Sequence, residues 1–348
     1  MKMKKTRVVF LCGLFLALGL AQGIFSQSEA EFAFDSYQEF RAHLGKLFQE
    51  KKIAEAVQLL EIAIKRFPDH LEANAYNLAF MSGMEKDYET GLKALTYAHD
   101  HGVWFGKYVF NADVWKPFQE LPEFKNFLKE NEAKRLAAQQ GSESRYEVFV
   151  PEGFQKDKTY PLFIALHGGG ENIEVFKPVW TSGKMKAEFV VVYVQSSQKI
   201  SMHGYNWTED IEVSKREISR AYKKVIEEYP IDRKKVIVGG FSSGGVASLE
   251  IVLQNVFPVK GFVVLCPAKP DSFTLENVRA AQARGVTGTL LTTEMDNRLD
   301  SQKEMDEIFR GQGFRCEFIV TPNIGHWYPK DLEQKIDEAV HRIFSQEK

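Results

Sequence analysis

Cysteine is scarce in this chain, with three among 348 residues. No Cys/His cluster has metal-ligand spacing, so a zinc module is excluded, and no metal is expected. An excess of one charge sign is also missing. Lys+Arg number 45 and Asp+Glu 47, for a formal charge of −2. Such a balance supplies no field for holding nucleic acid or another anionic partner. Long apolar runs are lacking too. The run Val8–Leu20 is shorter than the roughly 20 residues that a stable membrane span needs. What is present is a hydrophobic fraction of 44%, which excludes a disordered chain, and a length that suits one large domain or two smaller ones.

The first residues read as an address. Lys2, Lys4, Lys5 and Arg7 precede Val8–Leu20, and Ala21-Gln22-Gly23 follow with small residues two apart. A basic start, a short apolar run and a small-x-small end predict a secretory signal peptide over residues 1–23, cleaved near residue 23. Cys12 sits behind Leu11 inside the apolar run, which argues against a lipoprotein anchor. The mature chain is expected to be exported, periplasmic or secreted. Export permits disulfides, yet Cys266 and Cys316 lie in or beside apolar strand-like runs and read as buried free thiols.

Residues 34–138 carry helical periodicity. Ile53, Ala56, Val57, Leu60, Ala63 and Ile64 recur at three- and four-residue steps until Phe67-Pro68-Asp69 stops the helix. Ala56, Leu60 and Ala63 recur as Gly91, Leu95 and Ala98, each 35 positions later. Small residues at these places let two helices approach closely. The pattern resembles tetratricopeptide helical hairpins, with a period near 34 residues and about two units visible. Trp115, Phe118, Leu121-Pro122 and Phe124 resemble the closing helices of such arrays. The module is expected either to pack on its neighbour or to bind a protein partner in a groove.

Gln139–Ser144 holds no large apolar residue and reads as a linker, after which the pattern changes. Apolar runs appear at Tyr146–Val150, Tyr160–Leu166, Phe189–Val194, Val236–Val238, Gly261–Cys266, Thr289–Leu291 and Cys316–Val320. Amphipathic stretches at Ile211–Glu228, Leu275–Ala283, Gln302–Phe309 and Asp331–Phe344 separate most of the later ones. Short apolar strands alternating with helices predict an α/β domain over 145–348, with a mostly parallel sheet covered on both faces.

Candidate chemistry sits at strand ends. Gly240-Phe241-Ser242-Ser243-Gly244 follows a strand and opens a helix. This is the arrangement of a nucleophile elbow, where Ser242 takes a strained conformation and residues two before and two after must lack side chains. His167-Gly168-Gly169-Gly170 follows another strand. The Gly169 N–H and the Ser243 N–H are the expected oxyanion-hole donors.

Ser242 needs a base, and the base needs an orienting acid. Asp296 follows the strand at Thr289–Thr293, and His326 follows the strand at Cys316–Val320. His326 is expected to take the Ser242 proton while Asp296 holds the imidazole tautomer. Asp300 and Glu294 compete for the acid role, and His203 for the base. Tyr205, Trp207 and Trp327 lie near strand ends, where they either line a pocket or pad the core edge.

Over about Arg145–Phe344, the chain resembles the α/β-hydrolase superfamily. The motifs are Leu166-His167-Gly168-Gly169-Gly170, Ile231-Asp232-Arg233 leading into the G-F-S-S-G elbow, and Thr293-Glu294-Met295-Asp296. These look most like the polyhydroxybutyrate-depolymerase, feruloyl-esterase and phospholipase/carboxylesterase-like branch. The resemblance implies ester hydrolysis through an acyl-enzyme on a small or polymeric ester, with no cofactor. Ser243 departs from the larger residue often found after the nucleophile, and no paired cysteines brace the site. Two alternatives remain at this stage: a serine peptidase of the same fold, and a helical-repeat binding protein whose hydrolase domain is inactive.

Overall fold

Helices dominate the first half of the chain because its apolar residues recur on one helical face. The computed structural model describes Phe34 and residues 36–345, so the signal-peptide reading of residues 1–23 lies outside the described residues. Helices α1 (Tyr37–Gln49), α2 (Ile53–Arg66), α3 (Leu71–Met84) and α4 (Tyr88–Asp100) run in succession. Ser36 Oγ caps α1 by accepting the Glu39 N–H at 3.2 Å, and Asp87 Oδ1 caps α4 from Thr90 N–H at 3.1 Å. Pro68 opens a short 3₁₀ turn that ends α2. Ala56, Leu60, Ala63, Gly91, Leu95 and Ala98 are all buried. The space at Gly91 is taken by the ring of Phe118, which a Cβ there would meet at 2.7 Å. Smallness at this position thus admits an aromatic ring as well as a helix.

The described chain divides into two compact units. The first holds the residues up to Trp104 with Val109–Asn131, and the second holds Phe105–Tyr108 with the residues from Glu132 onward. The expected linker at Gln139–Ser144 is revised by helix α5 (Pro122–Gln140), which continues through its first two residues. The cause is Gln139, whose side chain donates to Ser197 O at 3.0 Å and accepts the Lys199 N–H at 2.7 Å.

The second unit is built on a seven-stranded sheet. Its strands are β1 (Arg145–Phe149), β2 (Tyr160–Leu166), β3 (Val190–Gln195), β6 (Ile231–Phe241), β7 (Gly261–Leu265), β8 (Thr287–Thr293) and β9 (Cys316–Thr321). A small hairpin of β4 (Gln198–Lys199) and β5 (Tyr205–Asn206) lies apart. The sheet order is β1-β3-β2-β6-β7-β8-β9, and only β1 runs antiparallel to its neighbour. Between the strands run α6 (Ile173–Phe176), α7 (Gly183–Glu188), α8 (Ile211–Glu228), α9 (Ser243–Leu253), α10 (Leu275–Ala283) and α11 (Leu299–Gly311), and α12 (Leu332–Phe344) closes the series.

Alternation along the strands places the core. Leu162, Ile164, Leu166, Val236 and Val238 pack with Ile218, Val225 and Phe309 on one face. Phe163, Ala165, Ile237, Val263 and Leu291 pack with Met185, Ile336 and Val340 on the other. Each such fully buried side chain contributes about 1.5–3 kcal/mol of burial free energy. With both faces covered, the C-terminal strand ends are where loops are free to carry chemistry. Among the described residues, no helix is long and apolar enough to cross a membrane.

Candidate active site

Ser242 sits between β6 and α9 at φ 51° and ψ −114°, in a strained turn. Its N–H donates to Leu265 O at 2.8 Å, which pins the turn to the neighbouring strand. The elbow glycines are required by backbone, not by side chains. A Cβ at Gly240 would lie 2.3 Å from Leu166 O, and one at Gly244 would lie 2.2 Å from that same oxygen.

His326 and Asp296 complete a chain of hydrogen bonds. His326 Nε2 lies 2.9 Å from Ser242 Oγ, and His326 Nδ1 lies 3.0 Å from Asp296 Oδ2. A carboxylate accepts, so Nδ1 carries the proton and Nε2 is left to accept from the serine hydroxyl. The loops that bear these two residues are zipped together. Glu294 N–H donates to Thr321 O at 2.8 Å, and Met295 N–H to Ile324 O at 2.9 Å. Thr293 Oγ1 donates to Gly325 O at 2.7 Å.

Burial of the Asp296 side chain works against its ionisation. Hydrogen bonds from the Arg298 N–H, His326, Cys266 and Gln302 outweigh that cost and hold its carboxyl below the usual aspartate range. Gln302 also donates to Pro267 O at 3.0 Å, so its amide is locked in place. Cys266, Asp296 and His326 present ligand atoms within 4.8 Å of one another. Desolvation pushes the Cys266 thiol up to about 12, so it stays protonated and serves as a donor.

The glycine turn supplies amides. Gly168 N–H donates to Glu171 Oε2 at 2.8 Å and Gly170 N–H to Tyr205 O at 2.8 Å. Gly169 N–H lies between them with no acceptor among the described residues. Ser243 N–H, at the start of α9, also has none, and the buried Ser243 hydroxyl is unpartnered. A Cβ built on Gly169 would lie 3.4 Å from that hydroxyl, so the two residues adjoin. His167 braces the turn from below. Its Nδ1 meets Gly168 O at 2.7 Å, and its Nε2 accepts the Ser196 N–H at 3.3 Å. Complete burial pushes its pKa down to about 4, which keeps it a neutral support.

The competing residues lie elsewhere. Glu294 accepts the Asn323 N–H at 2.9 Å, and exposed Asp300 pairs with Lys303 at 3.4 Å. The backbone oxygen of His203 accepts from Asn172 at 2.9 Å, and no hydrogen bond joins its ring to Ser242 among the described residues. Trp207 is fully buried and donates from Nε1 to His167 O at 3.0 Å, so it pads the core edge. Tyr205 is bridged to Glu171, whereas Trp327 is 63% exposed beside the Phe241 ring.

Sequence reasoning missed several neighbours. Arg298 places Nη1 3.5 Å from Ser242 Oγ and 3.3 and 3.1 Å from the two His326 ring nitrogens. Tyr328 OH donates to the Glu171 carboxylate at 2.7 Å, tying the histidine loop to the glycine turn. Desolvation raises the Glu171 pKa, and the bonds from Tyr328 and Gly168 offset this only in part. Only the acidity of Glu171 and its place after the glycines offered a signal.

No family model matches the chain. A curated relative, the bifunctional acetylxylan esterase/xylanase XynS20E of Neocallimastix patriciarum, is 27% identical over 134 residues. That match covers 38% of this chain and only 19% of the relative. A solved structure of an uncharacterized protein from Bacillus cereus ATCC 10987 is 23% identical, with a TM-score of 0.51 over 89% of this chain and 99% of that one. This likeness concerns the fold. A ferulic acid esterase structure is 19% identical at a TM-score of 0.47, covering 58% of this chain and 92% of the other.

Proposed function

We propose that this chain is a serine hydrolase that cleaves carboxylic esters through an acyl-enzyme. The observation that carries the reading is the unbroken line Ser242–His326–Asp296, with steps of 2.9 and 3.0 Å, beside the unpartnered Gly169 and Ser243 amides. The esterase relative adds support for the substrate class. As Ser242 Oγ attacks the ester carbon, its proton passes to His326 Nε2. The carbonyl oxygen gains the negative charge and is received by the Gly169 amide and by the Ser243 amide at the positive end of α9. Collapse breaks the bond to the alcohol oxygen, which takes the proton from the imidazolium and leaves. Water then repeats the sequence on the acyl-serine, releasing the acid and restoring Ser242. Asp296 stays ionised throughout and stabilises the imidazolium.

The basic start and apolar run of residues 2–20 support export of the mature chain. The 35-residue recurrence supports a tetratricopeptide-like reading of the helical unit. The decisive experiment is turnover of 4-nitrophenyl acetate by Ser242→Ala. Activity is expected to fall by roughly 10³-fold or more with the circular dichroism spectrum unchanged. Undiminished turnover in that variant overturns the assignment.

A further inference from the structure

A guanidinium beside a serine and its base is an unusual neighbour for a neutral ester. Arg298 Nη1 approaches both nitrogens of the His326 ring almost equally, at 3.1 and 3.3 Å. An atom lying in the ring plane at those distances would collide with the carbon between the nitrogens. Nη1 therefore lies over the ring face, where it also reaches Ser242 Oγ at 3.5 Å. Among the described residues the guanidinium joins no ion pair, and its Nε and Nη2 donors have no acceptor. The nearby carboxylate is already committed: Asp296 accepts from His326, from Gln302 and from the Arg298 backbone N–H. The residue is neither sealed in the core nor fully exposed, so a ligand can reach it.

Left alone, this positive charge opposes the chemistry proposed above. The imidazole must become cationic in the transition state, and a fixed cation over its face raises the energy of that form. A negative group on the substrate removes the conflict by engaging the unused donors and neutralising the field at the moment of transfer. The planar fork of arginine fits a carboxylate with two parallel hydrogen bonds, and such charge-assisted bonds exceed neutral ones in strength. We infer that Arg298 is a specificity residue and that the preferred substrates are esters bearing a carboxylate near the scissile bond. The inference rests on the esterase reading and narrows its substrate class.

The test uses two pairs of esters that differ in one charge. On the alcohol side the pair is 4-acetoxybenzoate and methyl 4-acetoxybenzoate. On the acyl side it is mono-4-nitrophenyl adipate and methyl 4-nitrophenyl adipate. The full-length enzyme is expected to favour the anion of at least one pair by roughly tenfold or more in kcat/KM. The gain should appear in kcat as well as in KM, and shrink as salt is added. In Arg298→Gln the ratio is expected to collapse towards one, while Arg298→Lys retains part of it. Equal use of both members of each pair by the wild type overturns the inference and leaves the esterase reading standing. A preference that persists in Arg298→Gln overturns it as well. Failure of the wild type to turn over any of the four esters overturns the esterase reading, and this inference with it.

Discussion

At the ends of β2 and β6 the site is made of backbone, whereas at the ends of β8 and β9 it is made of side chains. The first half comprises the Ser242 turn and the glycine turn, where carbonyls of Leu166 and His167 leave no room for a Cβ at Gly244. The second half holds Asp296 and His326 through the amide of Gln302, the hydroxyl of Thr293 and the Arg298 N–H. One carboxylate from each half, Glu171 and Asp296, makes the contrast, because their environments act oppositely. Glu171 is dominated by desolvation and is raised, while Asp296 is desolvated too but collects enough donors to be lowered. Desolvation and the donors facing a carboxylate together set the direction in which its pKa moves.

The comparison can be broken most sharply on the side-chain half. Asp296→Asn keeps the shape but offers His326 an ambiguous partner, so kcat is expected to fall roughly 10³–10⁴-fold in an ester assay. Calorimetry should show the variant folded. A loss of only a few-fold would mean that the carboxylate does not set the imidazole tautomer.

The backbone half should fail differently, through stability. Gly244→Ala places a methyl 2.2 Å from Leu166 O and 2.4 Å from His167 O. The expected cost is about 3 kcal/mol, read as a lower denaturation midpoint. A variant as stable as the wild type would show that the two strand ends can part without penalty.

The smallest expected effect is the contrast in pH dependence. The raised pKa of Glu171 means that its contribution to stability is present below the ordinary glutamate range and is lost as pH rises through the folded value. Asp296, being lowered, contributes above the ordinary aspartate range and loses that contribution as pH falls through its folded value. Glu171→Gln should flatten the decline on the rising side, and Asp296→Asn the decline on the acid side. Denaturant titrations across pH check both slopes, and a matching response from the two variants would erase the distinction between the halves.

Legibility followed the same division. Each strand of the seven-stranded sheet coincides with an apolar run, because burial on both faces writes itself into contiguous residues. The glycines at 240 and 244 stood out by their spacing around Ser242, although the oxygen that admits nothing larger at either, that of Leu166, belongs to another strand. Ser242, Asp296 and His326 were singled out from their order and their places after strands, and the fold brings the three side chains together. For Trp207 the sequence left open a pocket or the core edge, and its burial decides for the core edge. Arg298, Gln302 and Tyr328 carried no sequence signature, and Glu171 only its acidity and its place after the glycines. Their roles arise from contacts as distant as 157 positions along the chain, which no local pattern encodes.

Pattern and composition alone thus determined the α/β architecture and the helical segment before it, since each is written in neighbours a few residues away, and they marked the turn around Ser242 by the spacing of its glycines. Only the tertiary structure decided which polar groups face Asp296, which glycine amide stays without an acceptor and which cation lies over the His326 ring. Those outcomes depend on where separate strand ends converge, and a hydrogen bond or a Coulombic contact depends on distance in space, not on position in the chain.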